Sequence, residues 1–409
     1  MTYRQTIKML QSQGKFYINL GLERILAVLN LFGNPQNSLK IIHVAGTNGK
    51  GSVCSTIANI LTHNGYKTGL YTSPHLVEYT ERIKINNEQI SKDDFTNYIE
   101  NVCTITDINN IDLTEFEILT AAAYKYFYDN KVDFAIMETG LGGRYDATNI
   151  CKQPVVSVIT SISLDHTDRL GDTTDKIAYE KAGIIKENSK VVVNSDNIGL
   201  NVIERVSKEK NAKLIIAKDN INTTFENGIN YVVYNEKKYE FPLLGLYQRQ
   251  NLSLIFKTIE QLPCKISEEG LREGLKTVKW NARLQYIKDK NLIIDGAHNP
   301  AAAAELKKSL DYYFKNQKRI FIYSTINTKD YVSIAKILFN PEDEIYYLNF
   351  NYKTAVPFEE YNKKVNFLRN IKQINKEDVP SVLEKNGLKI LTGSFYMIGE
   401  ILSDYKFLT

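Results

Sequence analysis

At 409 residues, with 43% hydrophobic and 24% charged residues, the chain is long enough for two or three separate cores and has the balance of an ordinary globular protein. No stretch approaches the roughly 20 apolar residues of a membrane span, and the opening MTYRQTIKML lacks the apolar core of a signal peptide, so a cytoplasmic protein that engages no membrane is expected. A net charge of +4 without basic–aromatic alternation argues against a nucleic-acid surface, and four cysteines without metal-ligand spacing (Cys54, Cys103, Cys151, Cys264) argue against a disulfide or zinc framework.

The first forty residues carry five basic groups against one acidic, which reads either as a face for an anionic small molecule or as a solvated surface. Strands and helices then alternate, which predicts an α/β fold with a mostly parallel sheet. The expected strands are KIIHVAG, KTGLYTS, VDFAIMETG, VVSVITSI and KVVVNS, apolar or β-branched runs of the kind found in buried parallel sheets. Between them LTEFEILTAAAYKYFYDN predicts a helix whose buried stripe is Phe116, Leu119, Ala123 and Phe127. From Lys213 to Phe241 the texture predicts short strands, with a hairpin turning at Asn235 and Glu236 and an antiparallel edge.

After Trp280 the alternation restarts. NLIIDGAHN, RIFIYST, EIYYLNF and LKILTGS are the expected strands, with helices from Pro300, near Tyr331 to Leu338, and in FYMIGEIL. A second, smaller α/β domain is expected over residues 290–409 after a first over 1–284, the boundary falling in the polar stretch WNARLQYIKDK.

The chemistry concentrates at strand ends. HVAGTNGKGS follows a β-branched pair and precedes an apolar helical run, but it misses the usual phosphate-loop spacing. Two residues separate Gly46 from Gly49, and Gly51 stands between Lys50 and Ser52. Gly46, Gly49 and Gly51 let the backbone fold around phosphate oxygens, the helix start presents free N–H groups, and Lys50 can reach the outer phosphates. Ser52 is placed to offer its hydroxyl to a bound Mg²⁺. Glu138 ends a buried strand and is either a metal ligand or a salt-bridged strand end. Gly140, Gly142, Gly143, Arg144 and Asp146 look like a second tight loop. In TSISLDHTDRLG, His166 lies with Asp165 and Asp168 at another strand end, as a ligand or acid/base group or as a satisfied loop histidine; a histidine ligand would admit Mn²⁺ beside Mg²⁺. Lys181 in YEKAGIIK reads from spacing alone as a surface lysine. In IIDGAHNPAA, Asp295 ends a strand before Gly296, His298 and Asn299, either binding ribose or metal or serving a helix cap, whereas TGSFYMIGE reads as a structural turn.

In order along the chain, NLGLERI, HVAGTNGKGS, YTSPHLVEYTERIKIN, LTEFE, METGLGGRYDATN, SLDHTDRLG, EKAGIIK, DGAHNP and TGSFYMIGE resemble the successive motifs of the folylpolyglutamate synthase and dihydrofolate synthase family of Mur ligases. The resemblance implies a P-loop ATPase domain followed by a smaller Rossmann-like domain, with ATP between them. It assigns the nucleotide to Gly46, Thr47, Asn48, Gly49, Lys50, Gly51, Ser52, Asn251, Arg283 and Asp295. It assigns two Mg²⁺ ions to Ser52, Ser73, Glu138 and His166, with Lys181 as a carbamate, an anion that can support a metal or its water. By the same likeness Lys50, Lys181 and His166 serve catalysis. The folate's pterin meets Asn19, Leu20, Gly21, Leu22, Thr114, Glu115, Phe116, Glu117, Tyr145, Asp146 and Ala147, and His298 lies near the glutamate substrate.

Two departures from the resemblance stand out. Asn281 and Ala282 replace the Pro-Gly common before the arginine, and Ser324 stands where glycine is frequent. The implied activity is ATP-dependent ligation of L-glutamate to a folate carboxylate, with dihydropteroate a further acceptor, through an acyl phosphate and by a monomer acting on small molecules. Two rivals are a Mur-type ligase for a cell-wall precursor and a nucleotide-dependent binding protein without ligation. The first is disfavoured because only about 40 residues precede the loop, too few for a nucleotide-sugar domain.

Overall fold

The computed structural model describes residues 1–12, 21–218, 220–226 and 229–405. Its larger sheet is made of β1 (Ile41–Ala45), β2 (Thr68–Tyr71), β3 (Ile83–Ile85), β4 (Glu88–Gln89), β5 (Phe134–Glu138), β6 (Val156–Ile159), β7 (Lys190–Asn194) and β8 (Lys213–Ala217), in the order β4-β3-β2-β5-β1-β6-β7-β8. The central strands β1, β2, β5 and β6 are buried at every position, because helices cover both faces of a parallel sheet. Only the pairings that β3 makes with β2 and β4 are antiparallel, in a short extension at one edge. At the other edge β8 is parallel to β7, which corrects the antiparallel edge expected from Lys213. The departure from parallel texture begins at β9 (Asn222–Glu226), which forms a separate three-stranded sheet with β10 (Ile229–Tyr234) and β11 (Lys237–Glu240). Asn235 and Glu236 turn the expected hairpin, both with positive φ (47° and 66°), as a tight two-residue turn requires.

The chain leaves β1 for β2 on one side and reaches β6 on the other, with β5 between β1 and β2. The carboxyl end of β1 is therefore a topological switch point, the place where open α/β sheets bind ligands. The helix Lys50–His63 starts there and is buried from Gly51 to Leu61. The helix Glu115–Asp129 buries Leu119, Ala123 and Phe127 of the expected stripe, with Phe116 packed half-buried against the same core.

The second sheet comprises β12 (Gln285–Ile287), β13 (Leu292–Asp295), β14 (Arg319–Tyr323), β15 (Glu344–Leu348), β16 (Ile371–Ile374) and β17 (Leu388–Thr392), in the order β12-β13-β17-β14-β15-β16. All its pairings are parallel except β12 with β13. The polar stretch in which the boundary was placed thus holds β12, and β16 had no counterpart among the expected strands. The chain divides into two compact units, the first of residues 1–223, 232–240 and 249–278, the second of 224–231, 241–248 and 279–409.

Candidate functional site

The phosphate-loop geometry follows from its glycines. Gly46 (φ 150°) and Gly49 (φ 90°) both take backbone conformations that disfavour a side chain, and a methyl at Gly46 would sit 1.7 Å from Thr160 Oγ1. One at Gly49 would sit 2.4 Å from Asn251 Oδ1, so Asn251 packs directly against the turn. The segment beyond β6 holds the loop through backbone and hydroxyl groups together. Thr47 N donates to the Ser161 carbonyl (2.7 Å), Thr160 Oγ1 donates to the Asn48 carbonyl (2.8 Å), and Ser163 N donates to Thr47 Oγ1 (3.1 Å). Thr160, Ser161 and Ser163 were missed as site residues; the hydroxyl-rich strand end TSIS was the signal.

Lys50, the first residue of the helix, donates to the Gly46 carbonyl at 3.2 Å and lies 4.0 Å from Glu138 Oε1. Glu138 is beside Val44 in register, 4% exposed, and accepts from Ser73 N at 3.3 Å. Ser52 is 1% exposed and its hydroxyl has no hydrogen-bond partner, a state that normally signals a ligand or water to be accommodated. Lys181 is not the surface group its spacing suggests: it is 4% exposed and donates to the Gly46 carbonyl at 2.6 Å. Burial first, and Lys50 second, push its ammonium down to about 7.

His166 takes a left-handed conformation (φ 50°) before the short helix Thr167–Leu170; its side chain is 47% exposed and 3.9 Å from Asp165. Asp168 pairs with Arg169 at the surface. Among the described residues no three of His, Cys, Asp and Glu converge on one point. Glu138 and the Ser52 hydroxyl offer oxygen donors of the kind that fit Mg²⁺.

Thr114 and Glu117 form a reciprocal capping box on the helix Glu115–Asp129, and Glu117 also accepts from Arg24 at 3.0 Å. Glu115 accepts from the Tyr79 hydroxyl through Oε1, while its buried Oε2 has no partner. Phe116 lies against Gly140, where a methyl would come within 2.6 Å of the ring. Gly143 touches the carbonyls of Glu180 and Lys181, so the loop after β5 presses on the helix that carries Lys181. Asp146, 5% exposed, accepts from Leu141 N (2.8 Å), Thr148 N (3.0 Å) and Thr148 Oγ1 (2.5 Å), and burial raises its carboxyl despite these bonds. Tyr145 is exposed and Ala147 buried. Gly21 (φ 138°) and Leu22 precede the helix Glu23–Leu31, and Asn19 and Leu20 lie outside the described residues.

In the second unit Asp295 ends β13, accepting from Leu284 N (2.7 Å) and Ala297 N (2.8 Å); burial raises its carboxyl, while Arg283 opposes that. Arg283 stacks over Phe395 at 4.5 Å, and the His298 ring meets the same Phe395 edge-on at 5.4 Å. His298 Nδ1 is 2.7 Å from the Gly296 carbonyl, and Asn299 caps the helix Pro300–Tyr313. Ala282, standing where glycine is common, has φ 55°. Ser324, the other departure, is fully buried, with its carbonyl against Gly393. Ser394, before the helix Phe395–Asp404, is buried with an unpartnered hydroxyl.

Residues 44–256 match the Mur ligase middle domain, and residues 280–404 match the dihydrofolate synthetase C-terminal domain. The chain is 32% identical over 427 residues to the dihydrofolate synthase/folylpolyglutamate synthase of Bacillus subtilis, covering 99% of both. It is also similar to the folylpolyglutamate synthase of Mycobacterium tuberculosis solved with ADP and AMPPCP (TM-score 0.89, 27% identity, 98% of each chain). A third relative is the bifunctional enzyme of Yersinia pestis complexed with AMPPNP and a manganese ion (TM-score 0.87, 29% identity, 99% of this chain and 98% of that one).

Proposed function

Since the chain belongs to the dihydrofolate synthase/folylpolyglutamate synthase family of Mur ligases, we propose that it ligates L-glutamate to the carboxylate of a folate at the expense of ATP, and that dihydropteroate is a second acceptor. The observation that carries this reading is the buried, unpartnered Ser52 hydroxyl behind a loop shaped by Gly46 and Gly49, with Lys50 and Glu138 beside it.

A carboxylate is a poor electrophile, so its oxygen first attacks the γ-phosphorus of ATP, releasing ADP and forming an acyl phosphate. The free amine of glutamate then attacks the acyl carbon. The tetrahedral intermediate expels phosphate, and loss of the amine proton leaves the amide. The loop N–H groups and Lys50 orient the phosphates and offset charge on the moving phosphoryl group. Mg²⁺, or Mn²⁺ in its place, supplies further neutralisation when bound. Its assigned ligands are Ser52, Ser73, Glu138 and His166, with Lys181 contributing as a carbamate.

Lys181 suits that modification because addition of CO₂ requires an unprotonated amine, and burial favours that form. Asn251, Arg283 and Asp295 are assigned to the nucleotide. Gly21, Leu22, Glu115, Phe116 and Tyr145, with the loop that Asp146 closes, are assigned to the pterin, and His298 to glutamate. No helix among the described residues is long and apolar enough to cross a membrane. We take the chain to act as a cytoplasmic monomer on small molecules alone.

ADP release from ATP and glutamate, with tetrahydrofolate, dihydropteroate or a cell-wall precursor as acceptor, tests the assignment. Release with the pterins is expected, and release only with the cell-wall precursor would transfer it to the other branch of the superfamily.

A further inference from the structure

β1 reads Ile41-Ile42-His43-Val44-Ala45, and all five residues are wholly buried. An imidazole in the central strand of a parallel sheet is out of place, because each of its nitrogens needs a partner that an aliphatic side chain would not. His43 Nε2 lies 2.8 Å from Thr148 Oγ1, and Nδ1 is buried with no partner. Thr148 has a single O–H, which points at Asp146 Oδ1. With Asp146 ionised, that hydroxyl can only accept from His43, so Nε2 carries a proton, and the buried Nδ1, with nothing to receive a second proton's hydrogen bond, leaves the imidazole neutral. Charge-assisted bonds of this kind strengthen a chain of donors ending on a carboxylate. Asp146 in turn accepts from Leu141 N and closes residues 141–146 into a tight loop, and that loop carries the exposed Tyr145.

We infer that His43 is a positioning residue: the relay His43–Thr148–Asp146 ties the strand that feeds the phosphate loop to the GLGGRYDATN loop and sets that loop's geometry toward the pterin substrate. A packing role would be met by valine or isoleucine without an unpartnered nitrogen. The relay explains why a histidine stands there, three residues before Gly46, and why Thr148 follows Asp146 at a distance of two. Its effect on substrate rests on the pterin assignment above; its effect on the loop does not.

The test uses the full-length protein and the variants His43→Leu, His43→Gln, Thr148→Val and the Leu/Val double variant. With wild type active on a pterin, His43→Leu and Thr148→Val should each raise the pterin KM by about tenfold, the scale of one lost buried hydrogen bond, with the ATP KM unchanged. The double variant should be no worse than either single one, and His43→Gln, which keeps an N–H donor, should recover most of the loss. Additive losses, or an unchanged pterin KM in folded variants, would overturn the relay's effect on the substrate. Hydrogen exchange at the Leu141 amide decides the structural half independently of any substrate. Faster exchange in both single variants upholds the relay even if no pterin proves to be a substrate, and wild-type protection in both refutes it.

Discussion

Lys181 lies in EKAGIIK, a stretch whose spacing reads as a surface lysine, yet its Nζ ends 2.6 Å from the Gly46 carbonyl with 4% of the residue exposed. The difference is tertiary: Gly143 admits the Glu180 and Lys181 carbonyls so closely that the helix carrying Lys181 is drawn against the loop after β5. Replacing Lys181 by Ala should lower kcat/KM on the order of 100-fold or more while circular dichroism and the melting curve stay native; near-normal turnover would remove the carbamate role. His43 makes a separate prediction about pH. Burial first, and Lys186 second, push its imidazole down to about 3, below its usual 6.5. Between those values the unfolded chain binds a proton that the native state refuses, so native stability falls as pH falls from 6.5 towards 3, by about 1.4 kcal/mol per pH unit at most. Urea unfolding of wild type and His43→Leu across that range should show wild type losing ground to the variant as the solution becomes more acid. A constant difference would mean that His43 is not buried neutral.

At the scale of elements, the legible parts were those whose pattern is local. The helix Glu115–Asp129 announces itself through its apolar stripe, and the hairpin at Asn235 and Glu236 through its turn residues. β12 and β16 escaped because Gln285–Ile287 and Ile371–Ile374 are short and partly polar, and pair only because β13 and β15 present open edges. β8 was assigned to the wrong texture for a related reason: an edge strand is exposed on one side and loses the continuous apolar run of its buried neighbours. The WNARLQ turn supports a prediction of opposite sign from the others. Ala282 holds φ 55° and Leu284 φ 42° on either side of Arg283. Ala282→Gly relieves the first of these and should stabilise the protein by up to about 1 kcal/mol in denaturant unfolding. Destabilisation would show that the buried Ala282 methyl is worth more than the strain it carries. Gly143→Ala, by contrast, meets two carbonyl oxygens at 2.8 and 2.9 Å, so it should displace the Lys181 helix and reduce turnover more than it reduces stability.

For the whole molecule, the two α/β sheets were visible in the sequence because HVAGTNGKGS, METGLGGRYDATN, SLDHTDRLG, DGAHNP and TGSFYMIGE each sit at the carboxyl end of a strand, where chemistry and topology coincide. What spacing could not reveal was convergence. The bonds that Thr160, Ser161 and Ser163 make to the loop, the Lys50–Glu138 approach and the His43 relay all join residues about 90 or more positions apart, by way of parallel strands whose order is not written locally. Those convergences build a phosphate loop, a buried hydroxyl and a buried lysine into one locality in the first unit. That arrangement suits phosphoryl transfer to a carboxylate. The central claim is tested most directly by ADP release in the presence of Mg²⁺, ATP, L-glutamate and either tetrahydrofolate or dihydropteroate. Release that requires both glutamate and a pterin is the predicted result; ADP release that ignores the pterin, or none with either pterin, would contradict it.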